Sequence, residues 1–158
     1  TGLANRRHLI ERAERELLRL QRFGSPFSLM TLDIDHFKRI NDTYGHASGD
    51  RALCALAATC IGLLREIDMV GRMGGEEFTI VLPETVGAEA MLVADRIRRG
   101  IADIRCNSDT PGLDFSMKVS IGVAECSPDE TRIEQPLARA DHALYEAKAA
   151  GRNRVLLG

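Results

Sequence analysis

Two acidic places in the chain could do chemistry together. "RMGGEEFTIVLP" (72–83) sets Glu76 and Glu77 between a diglycine and an apolar run, and "LDIDHFKRINDTYGHASGD" (32–50) carries Asp33 just where another apolar run ends. Adjacent carboxylates at the mouth of a buried strand are costly unless water or a counter-charge receives them. Carboxylates converging from two strand ends suit a hard, oxygen-seeking cation, and Mg²⁺ is typically held by one or two carboxylates together with substrate phosphates. A turn with solvated acids would also tolerate Gly-Gly-Glu-Glu, so the metal reading stands on Asp33 and the hairpin acids sharing one edge of a sheet. "DIDHFKRIND" makes no calcium loop, because Phe37 and Lys38 stand where an EF-hand needs an oxygen ligand and then glycine. His36 has no second, suitably spaced histidine and reads as a polar residue at a helix start.

Asn41, His46 and Asp50 follow in or beside the next helix and its glycine-containing loop. A carboxylate accepts from the N1–H and exocyclic amine of guanine, while an amide both donates and accepts. Adenine, with an unprotonated N1, would mismatch that carboxylate. Asp50 also suits the N-cap of a following helix, and the two roles are compatible.

These groups need elements to position them. Residues 5–22 carry Leu9, Ala13, Leu17 and Leu20 at helical spacing, which predicts an amphipathic helix stopped by "GSP" (24–26). "FSLMTLDI" (27–34) predicts a strand buried on both faces. A short helix over 36–43, a loop at "YGHASGD" and a longer helix to about residue 64, striped by Leu53, Leu56, Cys60 and Leu63, come next. "MVGRM" and "EEFTIVL" flank Gly74-Gly75, the signal of a two-residue hairpin turn. A helix over 87–104, a strand over 117–126, a helix over 133–150 capped by Gly151 and a short strand at "NRVLL" complete the chain. The expected fold class is α/β: a mixed central sheet of about five strands, including the hairpin, flanked by helices. If the strand ending at Asp33 runs antiparallel to the one beginning near Glu77, the acids meet.

At 158 residues the chain has the size of one domain, and 44% apolar with 28% charged residues is ordinary for a globular protein. A net charge of −2 provides no global basic field for nucleic acid, so no DNA or RNA partner is expected. No apolar run reaches a membrane span, and no signal peptide is visible. Cys54, Cys60, Cys106 and Cys126 form no C-x-x-C pair; Cys54 and Cys60 read as small core residues, and a reducing cytoplasm is the expected compartment. The chain opens on Thr1, and we expect a part of a longer protein, which could itself be membrane-anchored.

"TGLANRR" (1–7), "DIDHFKRINDTYGHASGD" (33–50), "RMGGEEF" (72–78), "SIGVA" (120–124) and "ADHALYEAKAAGRNRV" (140–155) together resemble the GGDEF domain of bacterial diguanylate cyclases, in the family's order and spacing and over nearly the whole chain. The resemblance implies a nucleotidyl-cyclase, palm-like fold and condensation of two GTP into cyclic di-GMP with release of pyrophosphate. It implies two Mg²⁺ per site, with Mn²⁺ an alternative. Asp33, Glu76 and the backbone carbonyl of Ile34 would be ligands, and Glu77 would approach the second ion. Glu76 would also accept the proton of the attacking 3′-hydroxyl, the metals polarising the α-phosphate. Lys38 would stabilise charge on the phosphates. Asn41 and Asp50 match guanine readers with His46 lining their pocket, Lys148 and Arg152 match phosphate contacts, and Phe37 with its neighbouring amides would support the triphosphate. Glu replaces the Asp of the family name at residue 76, and both occur in active members.

One set of motifs holds one GTP, whereas the product joins two nucleotides by two equivalent bonds, so a homodimer about a twofold axis is expected. In the family an upstream sensor or coiled coil brings the domains together. "REID" (65–68) falls five residues before Gly74, where many members carry an R-x-x-D inhibitory site for the product; Arg65 would clamp phosphate and Asp68 accept from a guanine edge. Arg96 matches a secondary contact in some members. The competing function is a receptor for cyclic di-GMP or GTP that keeps the fold without the chemistry. A cyclase for adenine-containing dinucleotides is disfavoured by Asp50, and a polymerase palm would need a template groove.

Overall fold

The structure, a computed structural model, describes residues 3–158. Thr1 and Gly2, the first letters of the "TGLANRR" motif, lie outside the described residues. Helix α1 (Arg6–Phe23) starts where Asn5 accepts a hydrogen bond from the His8 backbone N–H (2.8 Å) and stops at Gly24, whose φ of 71° turns the chain away. Its Leu9, Ala13, Leu17 and Leu20 are buried as expected. Glu16 is buried beside them, and Arg12 (3.2 Å) and Arg19 (3.4 Å) supply its counter-charge. Strand β1 (Phe27–Ile34) is buried along its whole length.

Helices α2 (Phe37–Tyr44) and α3 (His46–Leu63) are separated by Gly45 alone. The loop expected over 44–50 is therefore not there, and α3 is already helical at His46. Gly45, at φ 94°, makes the break in one residue, and the Ser48 hydroxyl donates back to the Tyr44 carbonyl (2.7 Å). Strands β2 (Met69–Gly74) and β3 (Glu77–Pro83) form the hairpin, turning at Gly75-Glu76 rather than Gly74-Gly75 because the register slips between Arg72 and Gly74. After α4 (Gly87–Ala102), β4 (Cys106–Asn107) and β5 (Asp114–Phe115) make a separate two-stranded ribbon that sequence reading missed. The Phe115 ring stacks on Tyr44 with centroids 4.6 Å apart. β6 (Val119–Glu125), α5 (Glu134–Ala149) and β7 (Val155–Leu157) complete the chain.

The main sheet has the order β2-β3-β1-β6-β7; all its neighbours are antiparallel except β6 and β7. Alternation along β1 divides the core. Met30, Leu32 and Ile34 face α3 and α4, packing with Leu56, Cys60, Ala94 and Ile97. Phe27 and Leu29 face the other way, onto Leu9, Leu17 and Leu20 of α1. Two-residue periodicity then puts Thr31 and Asp33 on the α1/α5 face. Helix α5 lies directly on β6, since a Cβ on Gly122 would overlap the Ala140 carbonyl and the Leu144 amide. No helix among the described residues is long and apolar enough to cross a membrane.

Cys60, Cys106 and Cys126 are buried, but Cys54 is exposed rather than part of the core, because it lies off the apolar stripe of α3. Burial pushes the Cys60 thiol up to about 12. Under native conditions a thiol-specific chromogenic reagent should therefore titrate one fast thiol, Cys54, with the remaining three appearing only in denaturant. Equal reactivity of two or more in the folded chain would contradict the packing.

Candidate active site

Asp33 and Glu77 are direct cross-strand partners in the β1–β3 ladder. Residues opposed in this way project to the same face with Cβ atoms about 5 Å apart. The carboxylate ending β1 and the hairpin acids therefore share one edge of the sheet, as the sequence reading required. Glu76, in the turn, is half-buried and Glu77 exposed, whereas Asp33 is only 3% exposed.

Lys148, near the end of α5, donates from Nζ to Asp33 Oδ2. Sequence reading assigned this lysine to phosphate; here its ammonium neutralises the acid. Asp33 Oδ1 is buried with no hydrogen-bond partner. Burial pushes the Asp33 carboxyl above its ordinary range; the hydrogen bond and charge of Lys148 oppose this, and Glu76 and Asp35 reinforce it. A buried carboxylate oxygen without a donor is what a hard cation binds best, so the residues present fit Mg²⁺. Among the described residues, however, no three His, Cys, Asp or Glu side chains converge closely enough to enclose an ion. Asp33, Glu76 and Glu77 ring the mouth without closing on one point. That arrangement suits an ion that takes its remaining ligands from a phosphate and water. Ile34 closes β1 with its side chain in the core, leaving only its backbone to face such a site.

The second group of predicted residues gathers at the α2–α3 junction. A Cβ on Gly49 would overlap Asn41 Oδ1 and lie 3.0 Å from its Cγ and 3.2 Å from Phe37 Cζ. The absent side chain of Gly49 is what lets the Asn41 amide lie against α3. His46 and Asp50, both exposed, sit one turn apart at the start of that helix. Lys38 is exposed on the first turn of α2, and Phe37 is half-buried and packs on the core under α3.

Arg152 is placed differently from Lys148. It follows α5 in a left-handed conformation (φ 65°), beyond the cap Ala150 and Gly151, and lines a groove with Asp35 and His36. Sequence reading gave Asp35 no role. It is buried, accepting from Ser120 Oγ (2.6 Å) and the Asn153 backbone N–H (2.9 Å), and so ties the entry of α2 to the segment after α5.

At the far end of α3, Arg65 and Asp68 pair at 2.8 Å; Arg65 Nη2 also donates to the Pro83 carbonyl and Thr85 Oγ1. The Asp68 hydrogen bond is the main cause holding the Arg65 guanidinium above its ordinary value. Arg96 reaches the Leu63 carbonyl (3.3 Å), two residues from Arg65. A cavity of about 470 Å³ between α1 and this end of α3 is lined by His8, Arg65 and Asp68.

Three comparisons bear on this arrangement. The family model described as "Diguanylate cyclase, GGDEF domain" matches residues 1–154. Diguanylate cyclase DgcP of Pseudomonas aeruginosa is 43% identical over 155 residues, 98% of this chain and 23% of that protein, so the chain spans about a quarter of that relative. Among solved structures, the GGDEF domain of DgcB from Caulobacter crescentus in complex with c-di-GMP superposes with a TM-score of 0.94 at 33% identity, covering 99% of this chain and 92% of that one. The active GGEEF domain of a diguanylate cyclase from Vibrio cholerae gives 0.92 at 35% identity over 98% and 97% of the two chains. The GGEEF of that domain is the sequence found here over residues 74–78, with Glu at residue 76. With its palm-like mixed sheet and paired acidic edge, the chain belongs to the GGDEF domain family of diguanylate cyclases.

Proposed function

We propose that residues 1–158 are the catalytic domain of a longer, cytoplasmic-facing diguanylate cyclase. Two such domains, each holding one GTP, would face each other as a homodimer and form cyclic di-GMP with release of two pyrophosphates. One observation carries the reading: Asp33 and Glu77 are register partners, and Asp33 keeps a buried, unpaired oxygen beside them.

In this reading Asp33, Glu76, Glu77 and the Ile34 carbonyl hold Mg²⁺ or Mn²⁺, two ions per site. Bound there, the metal supplies Lewis-acid polarisation of the α-phosphate and lowers the pKa of the attacking 3′-hydroxyl. Glu76 takes the proton of that hydroxyl. Lys148, freed from Asp33, moves its charge to the phosphates, where Lys38 and Arg152 join it. Phe37 and its neighbouring amides seat the triphosphate. Asn41 and Asp50 select guanine, with His46 at the pocket rim. Because both bonds need an opposed partner, an upstream sensor domain in the parent protein would set activity by setting the population of the dimer. Incubation with GTP and Mg²⁺ at high protein concentration, free or fused to a leucine zipper, followed by nucleotide chromatography, should reveal cyclic di-GMP. Its absence even from the zipper-dimerised protein would sink the proposal in favour of a receptor.

Product inhibition belongs to the same reading. Arg65, Asp68 and Arg96 form the brake, with Arg65 Nη1 free of any partner among the described residues to meet a phosphate. Arg65→Ala should weaken cyclic di-GMP binding by about 10- to 100-fold, the value of a charge-assisted hydrogen-bond pair. Inhibition by product should fall in parallel. Calorimetric titration of the variant at parental affinity would remove Arg65 from the site.

A further inference from the structure

The guanine readers proposed above sit on a weak piece of helix. α3 begins without a side-chain cap and with no acid in its first turn, and Gly45 and Gly49 both lower helix propensity there. Left to itself that turn would fray, and His46 and Asp50 with it. Helical spacing puts His46, Gly49 and Asp50 on one side, where Gly49 lies against Asn41. Ser48 and Arg51 fall on the other side, and there the β4–β5 ribbon holds them.

Arg51 reaches across to the ribbon. Its Nε donates to the Asn107 carbonyl (2.9 Å), and its Nη2 donates to Asp109 Oδ1 (2.5 Å) and Ser48 Oγ (3.2 Å). The Asp109 backbone N–H donates to the same hydroxyl (3.3 Å), whose own proton goes to the Tyr44 carbonyl (2.7 Å). The second Asp109 oxygen faces the hinge, since a Cβ on Gly45 would lie 3.2 Å from Oδ2. Tyr44, the last residue of α2, stacks on Phe115 of β5. The ribbon is stiff enough to act as a brace. Cys106 and Phe115 bury its base in the core, and the Ser108 hydroxyl bonds to both the amide (3.1 Å) and the carbonyl (3.0 Å) of Thr110 at its tip. Its grip falls on both helices where Gly45 joins them, so it fixes the angle between Asn41 on α2 and Asp50 on α3.

We propose that Arg51 and Asp109 are positioning residues for nucleobase recognition, a clamp that holds the first turn of α3 so that Asn41 and Asp50 meet one guanine. The proposal rests on the cyclase reading only in taking those two side chains as the base readers. Both members of the pair are about half-exposed, so the clamp adds little to global stability and its effect is local.

The test joins steady-state kinetics of the zipper-dimerised chain to calorimetric titration of GTP and ATP in metal-free buffer. Arg51→Ala and Asp109→Ala should each raise the KM for GTP and weaken GTP binding by about 5- to 10-fold, the contribution of an exposed ion pair plus one hydrogen bond. The kcat should stay within ~2-fold of the parent's, and preference for GTP over ATP should narrow in step with the KM. Both variants should melt as the parent does. Because the two residues act as one clamp, the double variant should be no worse than either single one. Asp109→Asn, whose amide oxygen still accepts from Arg51, should recover most of the affinity. Arg7→Ala, which breaks an exposed pair with Glu11 (3.1 Å), should change nothing. Parent-like KM and affinity in both single variants would overturn the proposal, as would additive losses in the double variant. Equal losses for GTP and ATP would overturn it too, by showing a role in the fold alone. Guanine-selective binding that the clamp variants lose, with no cyclic di-GMP from the parent, upholds the clamp and sinks the cyclase reading alone. A parent that binds GTP no better than ATP overturns both.

Discussion

Asp33→Asn is expected to lower cyclic di-GMP formation by at least ~10³-fold, a loss of about 4 kcal/mol of transition-state stabilisation, with a melting temperature equal to or above the parent's. The two halves of this expectation have one cause. Asp33 is buried, one of its oxygens has no donor, and burial raises its pKa in the folded chain. A carboxyl whose folded pKa lies above its unfolded value contributes stability below the unfolded pKa. That contribution is lost as pH rises through the folded pKa. At neutral pH the ionised group is thus a burden on folding that asparagine does not carry. Lys148 would lose its partner, but its side chain is 35% exposed and can rehydrate. Removing the acid should cost chemistry and not structure. Thermal melts with and without Mg²⁺ plus GTP, beside a nucleotide assay, make the check. The parent's midpoint should rise on loading and the variant's should not. A drop of several degrees in the unloaded variant would show that Asp33 is there for the fold. Glu76→Gln should likewise abolish synthesis with the fold intact.

Gly49→Ala should raise the KM for GTP by about 10- to 100-fold, although alanine in a helix interior usually stabilises by about 1 kcal/mol over glycine. The new methyl would occupy the place of Asn41 Oδ1 and crowd the Phe37 ring, forcing the amide off α3. If Asn41 is a guanine reader, the variant loses its hydrogen bonds without touching Asp33, Glu76 or Glu77, so kcat should fall much less than kcat/KM. Preference for GTP over ATP should narrow as well. Steady-state kinetics on a zipper-dimerised pair of proteins would show it. An unaltered KM would mean that the position of Asn41 is irrelevant to substrate. A parallel fall in melting temperature and kcat would mean that the change is only a packing defect.

What sequence reading found follows from what local pattern can encode. The eight-residue run Phe27–Ile34, with Asp33 next to its end, and the diglycine before Glu76 each specify an element. Their pairing followed from strand direction, and the Asp33–Glu77 register bears it out. The start of α3 was hidden because Gly45 and Gly49 lower helix propensity, while their reasons for being there are tertiary: a one-residue break and room for Asn41. The β4–β5 ribbon is too short for any periodicity to show. Asp35 escaped notice because its partners, Ser120 and Asn153, lie 85 and 118 residues away. The Asp33–Lys148 pair spans 115 residues, and nothing in either segment announces it.

That pair also bears on the order of loading. The resting domain carries its own plug, an ammonium tethered to α5 and seated on the acid proposed above to hold a divalent ion. A free ion would have to evict a charge held at high local concentration and leave it only water for company. An ion escorted by a triphosphate brings the evicted lysine a new anion in the same encounter. Idle domains would thus stay unmetallated, and only the escorted cargo would unlock them.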